Sequence, residues 1–105
     1  MSPEKKLKAA FIFLAPEANP ATHRAWVDTP AVQLLAVAVK DYKEAVKIAQ
    51  DLPKEGIQAI ELCGGFGNLG TAMIVEAVKG QIPVGVVRFD SHPGLGGKSG
   101  DQLFK

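Results

Sequence analysis

Between Val32 and Phe89 the chain alternates apolar runs of strand length with stretches whose apolar residues fall at helical spacing, and this alternation constrains the fold more than any other feature. Strand, helix, strand, helix, strand in succession requires parallel pairing through right-handed crossovers. Four runs read as strands: residues 9–15, 32–39, 57–63 and 84–89. The first two are nearly unbroken in Phe, Ile, Leu, Val and Ala, a composition expected of strands covered on both faces. Residues 41–55 set Tyr42, Ala45, Val46, Ala49 and Leu52 at helical intervals. Asp41 followed by Glu44 resembles a capping box, Gly56 suits the far end, and Pro53 ends regular helix near Leu52. A second helix is expected over residues 70–79, with Met73, Ile74, Ala77 and Val78 on one face and Gly80 as its stop. Ala72 and Val75 fall on or beside its polar face, a surplus of apolar surface that points to a subunit interface, and a homo-oligomer is expected. The polar segment 16–30 has room for one short helix over residues 21–27. The expected fold is a single α/β domain over residues 1–105, a mostly parallel four-stranded sheet with flanking helices, Rossmann-like or half-TIM-barrel-like. Residues 91–105 form its glycine-rich C-terminal loop and tail, with 91–100 expected as a mobile loop or lid.

Length and charge narrow the function. At 105 residues, 47% of them apolar, the chain closes one core and leaves no room for a second domain. Twelve Lys and Arg against eleven Asp and Glu create no global field for a polyanion, so neither nucleic acid nor a membrane surface is an expected partner. The lone Cys63 cannot form an internal disulfide, nothing requires an oxidising compartment, and a cytoplasmic location is expected. Lys5, Lys6 and Lys8 before the apolar run imitate a signal peptide, but the run is short, Glu4 and Glu17 flank it, and the fold needs it as a strand. No stretch approaches the ~20 apolar residues that span a bilayer.

In a parallel α/β sheet ligands bind beyond the carboxyl ends of the strands, where loops meet helix N-termini with free N–H groups. Loops 16–24, 64–70 and 90–100 all fall on that edge. Gly65-Phe66-Gly67-Asn68-Leu69-Gly70 is a G-x-G-x-x-G between an expected strand and an expected helix, with Asp90 twenty residues beyond its last glycine. This is the local context of a dinucleotide fingerprint, but the usual second half of such a domain is absent. The loop suits a smaller phosphate or carboxylate, or is a tight turn. Its candidate ligand-binding residues are Gly64, Gly65, Gly67, Asn68 and Gly70, with Arg88 and Lys98 supplying positive charge.

Glu61 and Arg88 each lie near the end of a strand, and if those strands are neighbours the two side chains can pair, holding either a ligand or the sheet register, or else both reach solvent at the sheet's rim. Glu61, Asp90 and His92 are the candidate proton-transfer residues, since a carboxylate beside a cation and an imidazole makes a workable acid/base set. Asp90 and His92, with His23 and Glu17, are also conceivable metal ligands, although a histidine before Pro93 is more often a turn residue, and no metal is assigned. Cys63 at a strand end is a nucleophile or a small apolar residue. Gly97-Lys98-Ser99 imitates the end of a phosphate loop, but His92 stands where the first glycine belongs.

The strings Glu61-Leu62-Cys63-Gly64-Gly65-Phe66-Gly67 and Arg88-Phe89-Asp90-Ser91-His92-Pro93-Gly94-Leu95-Gly96-Gly97-Lys98-Ser99-Gly100 resemble those of a small bacterial family of uncharacterised single-domain proteins, over nearly the whole chain. That resemblance implies no activity, substrate or cofactor, and the cofactor stays unknown. Residues 44–89 also look like consecutive βα units of TIM-barrel enzymes, an architectural likeness in a chain with about half the strands of a barrel. Two functions are expected from these readings. One is binding or processing of a small anionic metabolite between loops 64–70 and 90–100; the other is a non-catalytic oligomeric or partner-binding module built on the second helix.

Overall fold

The computed structural model describes residues 6–89 and 91–105. Its elements in chain order are β1 (Leu7–Leu14), β2 (Arg24–Asp28), β3 (Val32–Val39), α1 (Tyr42–Asp51), β4 (Ala59–Leu62), α2 (Asn68–Val78), β5 (Val84–Val86) and α3 (Gly100–Leu103), with 3-10 turns at Leu52–Glu55 and Pro93–Leu95. The strands form one mixed sheet in the order β2-β3-β1-β4-β5. β1 is central and parallel to both β3 and β4, and β4 is parallel to β5.

The expected sheet is corrected at one edge: among the described residues there are five strands rather than four, because Arg24–Asp28 is a strand antiparallel to β3 and not a short helix. The reason is long-range. A helix of that length is marginal by itself, whereas the free edge of β3 offers this segment a complete hydrogen-bond ladder from Asp28↔Gln33 to Arg24↔Val37. Thr29 closes the turn, its N–H and hydroxyl both donating to Val32 O at 2.8 and 2.9 Å.

The helices follow their local signals. Asp41 caps α1, its Oδ1 accepting from Glu44 N at 2.9 Å, while Glu44 Oε1 accepts from Lys40 N rather than from the cap's own N–H. Pro53 converts the end of α1 into a 3-10 turn that Gly56 closes at φ 87°. α2 opens two residues earlier than its apolar pattern indicates and stops where Lys79 and Gly80 both turn left-handed. Among the described residues no helix is long and apolar enough to cross a membrane.

Strand order decides where the helices go. The crossover from β3 to β4 and the crossover from β4 to β5 run in the same direction across the sheet, so right-handed connections place α1 and α2 on the same face. They pack against each other there and close the core over Ala10, Ile12, Leu35, Val37, Ile60 and Leu62, with Tyr42, Phe66, Ile74 and Val78 from above. The strands are therefore covered on one face and not on both. The alternate residues, Phe11 and Phe13 of β1 and Leu34 and Ala36 of β3, lie outside this core on the opposite face, half-buried by their neighbours in the sheet.

Candidate functional site

The loop between β4 and α2 bears out its expected position: it leaves the carboxyl end of a parallel strand and opens a helix. Gly67 is the cap residue of α2 and has no side chain to satisfy the free N–H groups of the first turn. A carboxylate takes that role, and it belongs to the chain itself. Asp101 on α3 accepts from Leu69 N through Oδ2 at 2.9 Å and from Gly70 N through Oδ1 at 3.1 Å. The Tyr42 hydroxyl donates to Asp101 Oδ1 at 2.8 Å and accepts from Gly67 N at 2.9 Å. A negative charge at the positive end of the helix is favourable for the reason that makes such ends attract phosphate.

The glycines are the shape of this socket. A Cβ on Gly67 would strike the Asp101 carboxylate, one on Gly70 would enter the Tyr42 ring, and one on Gly100 would collide with the Gly65 carbonyl. The G-x-G-x-x-G thus seats the C-terminal segment. Burial alone pushes the Asp101 carboxyl upward, but the Leu69 N–H, the Tyr42 hydroxyl and the Gly70 N–H stabilise the anion, with help from Lys105, and hold it below the ordinary carboxylate value. Burial is the first cause that raises the Tyr42 hydroxyl, and the adjacent Asp101 charge adds to it, outweighing the Gly67 N–H that favours the phenolate.

α3 is fixed at its start by a capping box, Ser99 Oγ accepting from Asp101 N at 3.2 Å and Gln102 Oε1 from Ser99 N at 3.1 Å. Behind it Phe104 lies 6.2 Å from Tyr42, which stacks on Phe66 at 5.5 Å. Residues 91–100, expected as a mobile loop or lid, are a hydrogen-bonded turn. His92 N donates to Lys98 O and Gly97 N to His92 O, and Gly96 and Gly97 take the left-handed conformation the reversal needs.

The expected site residues fall into separate places. His92 is a turn residue: its Nδ1 accepts from Gly94 N at 2.9 Å and its ring lies 4.6 Å from Phe89, which itself fills the space beside Gly64. Lys98 is exposed at the base of the same turn. Asp90 lies outside the described residues. β4 and β5 are neighbours as expected, but Glu61 and Arg88 form no ion pair. The alternation of the strands separates them: Glu61 is in register with Phe11 and Gly85 on the uncovered face, while Arg88 follows the Leu62 and Val86 side and its Nε donates to Asn68 Oδ1 at the start of α2.

Cys63 Sγ accepts from Leu14 N and Gly65 N, which ties β1 to the glycine loop. His23 and Glu17 sit at the far corner of the sheet, lining a cavity of about 290 Å³ floored by Phe13 and Ala38, and His23 Nδ1 accepts from Asn19 N at 2.9 Å. Among the described residues no three His, Cys, Asp or Glu side chains gather as metal ligands.

Tyr42 and Asp101 are the residues that the sequence reading missed. A local signal existed in Ser99 and Gln102, a capping pattern that marks a helix start where a loose tail was expected. Neither the curated proteins nor the solved structures contain a match to the chain. A family of unknown function, DUF6506, matches residues 7–102, a span that holds every strand, both long helices and the Asp101 socket, and the chain belongs to that family.

Proposed function

We propose that the domain is a binding module that works through the uncovered face of its sheet. The observation that carries this reading is the apolar character of that face. Phe11, Phe13, Leu34 and Ala36 lie side by side across the two longest strands, and Val27 at the β2 edge is 56% exposed. The first four are half-buried, and a contiguous apolar patch of a few hundred square ångströms on a small domain is often a functional one.

The small-anion reading has less support at the rim. The N–H groups best oriented for an anion already serve Asp101, and Glu61 and His92 lie apart, on the open face and in a closed turn. On α2 the exposed large apolar side chains are Leu69 at 43% and Val75 at 48%, two residues against the four contiguous ones of the sheet face.

A thermal-shift panel of inorganic phosphate, nucleotides, sugar phosphates, carboxylates and divalent metals separates the readings. The module reading expects a flat panel, together with binding of the apolar dye anilinonaphthalene sulfonate or self-association that Phe13→Lys abolishes while the circular dichroism spectrum stays native. A Tm that climbs with the concentration of one anion, and no longer does so in Lys98→Ala, would return the function to the rim.

A further inference from the structure

We infer that the occupant of the uncovered sheet face is a second copy of this chain, packed face to face about a two-fold axis that runs along the strands between β1 and β3. This rests on the binding-module reading and adds the identity of the partner.

The first argument is shape. Phe11 and Phe13 stack on each other at 6.3 Å between ring centres and make a ridge along the central strand. Beside that ridge, in register with it, Ala36 of β3 and then Ala25 of β2 make a trough that ends at the buried Ala38. Two adjoining hollows of about 290 and 310 Å³ flank Phe13 on this side. An axis between β1 and β3 exchanges ridge and trough. Phe11 of one copy then meets Ala36 of the other, and each copy fills the hollow of its partner. A two-fold interface requires such self-complementarity, which an unrelated partner would have to supply separately.

The second argument is area. At ~3.3 Å per residue and ~4.8 Å between strands, the eight-residue β1 and β3 with their shorter neighbours project a face of roughly 450 Å². That is below the ~800 Å² per partner of a standard interface, and the loop residues that line the two hollows add to it. Two such faces stack at ~10 Å, the spacing of a β-sandwich.

Charge fits the same axis. Glu61 is the carboxylate carried by a strand on this face, one strand beyond the ridge on β4. The axis carries it over the partner's β2, an edge where water reaches and where His23 stands at the head of the strand. The ridge and the alanines of the trough carry no ionised group, and Glu17 and Arg24, which line the two hollows, are exposed.

The test is mass against concentration by light scattering on the full chain, with two substitutions. The expected result is a particle of twice 11.1 kDa that persists on dilution. Ala36→Arg, a side chain on an open face, should raise the dissociation constant ~100-fold or more by burying an unpaired charge, with the circular dichroism spectrum unchanged. Val75→Arg on α2 should leave the dimer intact. A folded monomer that binds anilinonaphthalene sulfonate, and loses that binding in Ala36→Arg, would overturn the second copy as occupant while leaving the module reading in place. A folded monomer that binds no dye would overturn both. A dimer broken by Val75→Arg and not by Ala36→Arg would assign the interface to α2 and overturn the inference.

Discussion

The Tyr42 hydroxyl lies 2.8 Å from Asp101 Oδ1, and this hydrogen bond joins residues fifty-nine positions apart across the N-terminus of α2. Tyr42 begins the first long helix and Asp101 lies in the last, so the contact links the C-terminal segment to the core and to the glycine loop together.

Tyr42→Phe keeps the ring and removes the link. The ring still packs on Phe66, but the buried Gly67 N–H loses its acceptor and Asp101 loses a donor. A loss of ~1–3 kcal/mol is expected, the usual cost of an unsatisfied buried donor. Urea unfolding measures it, and an unchanged midpoint would show that the hydroxyl is dispensable.

Tyr42 is the chain's one tyrosine, so its ionisation can be followed by ultraviolet absorbance without interference from another phenol. Its midpoint should lie above the ordinary 10.0, for the reasons of burial and the neighbouring Asp101 charge. Because the folded value is the higher one, the associated stability is complete below the unfolded value near 10 and is lost as pH rises through the folded value. A reversible midpoint at 10.0 in the folded protein would contradict the contact.

Asp101 works in the opposite direction. Its folded value is depressed, so its contribution is present above the unfolded value of 3.8 and disappears as pH falls below it through the folded value. Asp101→Asn should flatten the acid limb of the stability curve in that window and cost ~1 kcal/mol or less at neutral pH, given solvent screening of a partly exposed carboxylate. An acid limb identical to that of the native chain would assign the titration to other carboxyls.

Gly67→Ala and Gly70→Ala should each destabilise by ~1–3 kcal/mol, because the added carbon meets the Asp101 carboxylate in one case and the Tyr42 ring in the other. Gly85→Ala is the comparison: nothing lies within 4 Å of its Cβ and it sits in a strand, so stability should hold or rise slightly. If all three behaved alike in thermal unfolding, the glycine loop would have no special fit to the tail.

Much of the framework was legible in local patterns, because the forces that set it act between near neighbours. The apolar run of β3, the Asp41 cap of α1 and the left-handed Gly56 depend on residues within a few positions of one another, and each is where the pattern places it. The common direction of β3, β4 and β5 follows from the alternation of elements in the same way, whereas that of β1, which precedes the alternation, does not. Three features depend on contacts between distant segments and became visible only in the folded molecule. β2 is a strand because β3 had an edge to offer it; the opposite placement of Glu61 and Arg88 follows from strand register; and the bare face follows from two crossovers that run in one direction. The glycine fingerprint shows both kinds of information at once. Its sequence marks a helix start with free N–H groups, a local property of backbone without side chains. That the anion is Asp101, thirty-one positions from Gly70, was decided by the tertiary fold, which alone brings a carboxylate and a tyrosine hydroxyl to that point.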